Sequence, residues 1–102
     1  MDRTSKTPGV VVLVDRLRCD LGQDYFVEVP HWDGEPMAIG LARPDDHRFL
    51  VYLSVHENGC EVYVECEIPA SDDTAALYEV GVSGDYADYQ QILGIVRSHL
   101  AR

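Results

Sequence analysis

The chain predicts an α+β fold: a two-layer sandwich with an N-terminal helix, a four- to five-stranded antiparallel meander and a C-terminal helix. Three observations carry this. A long run of period-two alternation folds back on itself at Asn58 and Gly59, period-3.6 apolar stripes occupy both ends, and short strand-like segments separated by breaker residues fill the space between. At 102 residues the chain is expected to form one domain, 1–102, with a single core that needs no disulfide.

Residues 1–7 (MDRTSKT) are polar and expected to fray. Thr7 followed by Pro8 reads as an N-cap with proline in the first turn. Val10, Leu13, Val14, Leu17 and Leu21 then recur at helical spacing before Gly22, a C-cap residue, which predicts a helix over 8–21. The run VVVLV is intrinsically strand-like, so a strand over 10–15 is the competing reading.

Residues 25–30 form a short strand, with Tyr25, Val27 and Val29 on one side and Phe26 and Glu28 on the other. Residues 31–36 carry Asp-Gly and Glu-Pro breakers and make a turn. Residues 37–42 form a second strand with Met37, Ile39 and Leu41 inward, and residues 43–47 the next turn. After the hairpin comes an acidic loop over 70–74 and a fifth strand over 77–82. Ser83, Gly84 and Asp85 are read as the cap of a final helix whose stripe is Tyr89, Ile92, Leu93, Val96 and Leu100. Asp85 and Asp88 fall in its first turn, and Arg97, His99 and Arg102 in its last, both complementing the helix dipole. Gly94 inside it costs about 1 kcal/mol relative to Ala and is read as a mark of close packing on the sheet.

The hairpin over residues 49–68 (FLVYLSVHENGCEVYVECEI) is the element that the others must accommodate. A type I′ turn needs positive φ at both central residues, which Asn58 and Gly59 tolerate. That turn pairs Val55 with Val62, Leu53 with Val64, Val51 with Cys66 and Phe49 with Ile68, all apolar. The opposite face pairs His56 with Glu61, Ser54 with Tyr63, Tyr52 with Glu65 and Leu50 with Glu67. A slip of one residue would mix the faces, so turn chemistry and pattern specify one register.

The net charge is −10. Residues 49–96 hold no Lys or Arg against nine acids (Glu57, Glu61, Glu65, Glu67, Asp72, Asp73, Glu79, Asp85 and Asp88), whereas residues 1–48 hold nine acids and six bases. Phosphate contacts need a basic footprint, so neither nucleic acid nor an anionic membrane surface is an expected partner. No apolar run approaches the roughly 18 residues of a membrane span, and VVVLV is too short for a signal-peptide core; the expected location is cytoplasmic.

No cofactor or metal is expected. His31, His47, His56 and His99 sit on different elements without ligand spacing, and Asp45, Asp46 and His47 are adjacent loop residues that converge poorly on one ion. Cys60 and Cys66 lie roughly 20 Å apart along one strand and are read as buried thiols; Cys19 is the more exposed. No serine lies in a nucleophile elbow. Glu65 and Glu67 share a strand face roughly 7 Å apart, but a shallow sheet face offers no water-excluding cleft. His56 opposite Glu61 is the one pair with acid–base potential, set against its plainer reading as a cross-strand surface pair.

The expectation is therefore a non-enzymatic acidic module that binds a basic protein partner through Tyr52, Glu61, Tyr63, Glu65, Glu67 and His56, with Trp32 and Tyr86 as further partly exposed aromatics. In layout (small, acidic, helix then meander then helix) the chain resembles some bacterial toxin-immunity proteins. That resemblance implies an immunity or inhibitor role against a toxin and carries over no residues. The alternatives are a dimeric secretion-type chaperone or adaptor, with the homodimer formed through the open sheet face, and a small enzyme using His56 and Glu61.

Overall fold

The computed structural model describes residues 6–32, 34–57, 60–69 and 78–101. The first element is helical: α1 spans Pro8–Leu21. The strand propensity of VVVLV loses to tertiary packing, because only helical spacing buries Val10, Leu13, Val14 and Leu17 together and leaves Val12 in solvent. The amides of Val10 and Val11 both donate to the Thr7 carbonyl. Gly22 ends the helix at φ 110°, a left-handed conformation that glycine adopts without strain, and its N–H bonds the Arg18 carbonyl at 2.8 Å.

Five strands follow as an antiparallel meander in chain order: β1 Val27–Val29, β2 Ala38–Arg43, β3 Asp46–Val55, β4 Val62–Pro69 and β5 Tyr78–Tyr86. A 3-10 turn, Pro30–Trp32, leaves β1. The final helix, α2, spans Tyr89–Leu100. The hairpin has the expected register from Leu50↔Glu67 through Val55↔Val62, and the His56 amide donates to the Glu61 carbonyl. Asn58 and Gly59, on which the turn argument rested, lie outside the described residues.

Residues paired across strands share a face, which sorts the sheet into two sides. On the first, Ile39, Leu41, Val51, Leu53, Val55, Val64 and Cys66 form a core with Phe26 and with the buried stripes of α1 and α2. The helices are tied together at their rims. The Tyr89 hydroxyl donates to Asp20 at 2.6 Å with Arg16 stacked over its ring, and the Tyr25 hydroxyl donates to the Arg97 carbonyl. Arg18 of α1 reaches down to Glu28, which its pairing with Leu41 places on this same side.

Several local expectations fail for identifiable reasons. Ser83, Gly84 and Asp85 do not cap α2; they continue β5 by pairing with Glu65, Val64 and Tyr63. The cap is Asp88, whose carboxylate accepts from the Gln90 amide at 2.9 Å. Gly94 is exposed, with nothing within 4 Å of the position of a Cβ, and so marks no close packing. β4 starts at Val62, which leaves Cys60 exposed beyond its end; of the two thiols read as buried, only Cys66 is. Met1 to Ser5 and the 70–74 loop lie outside the described residues, but Lys6 and Thr7 are held in place.

Removing the Asp88 carboxylate leaves the first turn of α2 with an unsatisfied amide. Asp88→Ala should lower unfolding free energy by about 0.5–2 kcal/mol in urea titrations, with an unchanged denaturant slope.

Candidate functional site

The second face of the sheet carries Ala38, Gly40, Tyr52, Ser54, Tyr63, Glu65, Ser83 and Asp85 by the same pairing logic. It is not bare. Trp32 lies over β2 on the bare backbone of Gly40, where any Cβ would overlap ring atoms Cζ3 and Cε3. From there a line of rings crosses the sheet. Trp32 and Tyr52 have centroids 5.2 Å apart, and Tyr52 and Tyr63 lie 6.3 Å apart edge to face. Both distances fall in the range where aromatic pairs attract beyond simple burial.

Carboxylates edge this line. The Tyr63 hydroxyl donates to Glu65 at 2.8 Å, and the Tyr52 phenol feels the carboxylates of Glu35 and Glu65. Both phenols are held above their ordinary range: Tyr52 by burial first and then by Glu35 and Glu65, Tyr63 by its bond to Glu65 first and then by burial. They are neutral hydroxyls across the physiological range.

The turn bearing Trp32 is anchored from beneath by an unexpected residue. Lys6 is 7% exposed, and its ammonium donates to the carbonyls of Trp32 at 2.6 Å, Glu35 at 2.9 Å and Ala38 at 2.8 Å. The Thr7 amide adds a bond to the Pro36 carbonyl. An ammonium has three donors, and here each finds an acceptor, which is what makes a buried cation tolerable. Its charge is consumed internally and is not offered to the face.

Of the expected binding residues, Tyr52, Tyr63 and Glu65 are brought together. Glu67 lies further along β4 opposite Leu50, and Glu61 is exposed just ahead of that strand. The His56 ring does not cross to Glu61. Its Nε2 lies 2.7 Å from Asp85 on β5, with about half of each side chain in solvent, and it meets Glu61 only through backbone. Tyr86 is on the other side: paired with Val62, it packs against the core. Sequence reasoning missed the role of Lys6, Glu35 and Asp85. A signal for Trp32 was present in Gly40, since glycine inside a strand marks a close approach by another group.

Among the described residues, no group of three or more His, Cys, Asp and Glu is placed to hold a metal ion, and no helix is long and apolar enough to cross a membrane. Compared with protein-family models, curated proteins and solved structures, the chain shows no match.

Two expectations follow. Gly40→Ala should drive Trp32 off the sheet, costing about 1–3 kcal/mol and shifting tryptophan emission to the red. The second concerns alkaline pH. Cys66 is raised to about 11 by burial and then by Glu65, while burial and then Asp20 raise Tyr89. With Tyr52 and Tyr63, all four have folded values above their unfolded ones, near 9.0 for the thiol and 10.0 for the phenols. Their stabilisation is complete below those values and is lost as pH rises through the folded ones. Melting temperature should therefore fall between about pH 9 and pH 11 in calorimetry.

Proposed function

We propose that the chain is a non-enzymatic binding module that docks a basic protein partner on the face bearing Trp32, Tyr52, Tyr63 and Glu65. One observation supports this above others: a line of half-exposed aromatic rings is edged by carboxylates, and the nearby cations are tied up elsewhere. Lys6 is spent on carbonyls, Arg18 on Glu28, Arg43 on Asp45 and Arg48 on Asp46. Tyr and Trp are suited to such a role because they bury a large area at low entropic cost and keep a polar tip. Surrounding negative potential adds specificity and speeds encounter with a positively charged surface.

The finer reading is an inhibitor or immunity-type protein that acts in the cytoplasm by covering the functional surface of a basic toxin. A catalytic use of His56 is not part of this reading. Its Asp85 pairing is half in solvent, so water has free access to it.

The test uses the purified partner, recovered by affinity capture from the source cell and reconstituted. Charge reversal at Glu61, Glu65 and Glu67 to Lys should slow association by about tenfold or more at low salt and flatten its salt dependence. A control reversal to Lys at Asp15 and Asp24, outside the face, should have little effect. Rates unchanged by the first set would exclude the face as the docking surface. A stable homodimer that buries Tyr52 and Tyr63 would favour the chaperone class instead.

A further inference from the structure

Among the described residues the sheet ends on β5, whose sequence YEVGVSGDY contains neither the Lys nor the Pro with which exposed edges are commonly blunted. Opposite Cys66 the register slips. Glu65 pairs with Ser83 but Glu67 with Val80, so Gly81 and Val82 together oppose one residue of β4. The bulge leaves Val82 48% exposed on the helix side. There it lines a cleft of about 760 Å³ between β5 and α2, whose floor includes Cys66 and Phe49.

The α2 wall of this cleft is formed by Gln90, Gln91, Gly94, Ile95, Ser98 and His99, whose ring nitrogen is bonded to the Glu67 carbonyl. Four of the six are exposed, yet none of those four is charged. An outward helix face normally carries charges, and depletion of charge is what distinguishes the centre of an interface from other surface. Gly94 adds space, since nothing lies within 4 Å of where its Cβ would be. A strand edge and a cleft with an uncharged outer wall thus lie side by side, the two parts needed for recognition by strand addition, in which backbone bonds give affinity and pockets for alternate side chains give specificity.

We propose that β5 receives an extended segment of the basic partner as a sixth strand. Alternate apolar residues of that segment enter the cleft beneath α2, and the intervening Lys or Arg residues lie along the opposite face beside Asp85. Charge decides the occupant. Residues 49–96 contain no Lys or Arg, and the one arginine at the cleft, Arg43, is bonded to Asp45 at 2.8 Å. A second copy is disfavoured by the −10 charge on each chain, which sets two acidic surfaces against each other. The inference rests on the basic-partner reading but assigns the contact to the edge.

The probe is a nine-residue peptide alternating Lys with Val, titrated into the isotope-labelled protein and followed by NMR, beside a peptide of the same composition in two blocks. Amide shifts should cluster at Val82 to Asp85 and at Gly94 and Ser98, with the block peptide at least tenfold weaker. Nothing lies within 4 Å of a Cβ at Gly94, so Gly94→Phe has room to enter the cleft; it should stay folded by circular dichroism and lose at least tenfold in peptide affinity. Shifts centred on Tyr52 and Tyr63, equal binding of both peptides, absence of binding, an unaffected Gly94→Phe, or a dimer formed through β5 would each overturn the proposal. Those results leave the face reading standing. That reading fails separately, if reversal at Glu61, Glu65 and Glu67 leaves association with the whole partner unchanged.

Discussion

The pairing register of β3 with β4 is the constraint from which the rest of the molecule takes its form. It puts Val51, Leu53, Val64 and Cys66 on one side, and both helices fold onto that apolar surface. It also puts Tyr52, Tyr63 and Glu65 on the other side. A shift of one residue would exchange the two sets and bury carboxylates under α1 and α2 at a cost no domain of this size could carry. Core and candidate surface are therefore two consequences of one choice of hydrogen bonds, and neither can be altered by register without losing the other.

The second face shows how distant parts of a short chain combine into one surface. Trp32 comes from a 3-10 turn, its seat from a glycine in β2, and the clamp on its carbonyl from Lys6, ahead of α1. Each contribution is local and simple. Together they keep a large aromatic ring on the sheet beside Tyr52 rather than leaving it to swing with a loop. An interface anchor held in place before contact loses less entropy when a partner arrives, which is why such positioning favours tight association.

Legibility from sequence followed the number of independent restraints at each position. The hairpin could be read to the residue because turn chemistry and apolar alternation agreed, and α1 because its stripe outweighed the strand propensity of its valines. β5 was read too short. Ser83, Gly84 and Asp85 have cap-like chemistry, and only the neighbouring strand reveals that they pair instead. His56 fails for a related reason: the hairpin identified one flanking strand, but β4 has β5 on its other side, and Asp85 there supplies the nearer carboxylate. Nothing in the sequence around Lys6 marks it as buried, because its acceptors are carbonyls, which every residue carries. The aromatic surface was half legible, its tyrosines from alternation and its tryptophan only through a glycine whose meaning needs the fold.

Lys6 is the sole lysine in the chain, and its amine is enclosed by three carbonyls. Chemistry directed at lysine side chains, whether acetylation, conjugation of a degradation tag or an amine-reactive crosslinker, therefore meets a folded protein with no accessible target on any side chain. Such a reaction has to wait for the turn beneath Trp32 to open. Lysine-dependent turnover of this protein would accordingly be governed by local unfolding at one corner, and a partner seated on Trp32 would protect the chain from it without ever touching the amine.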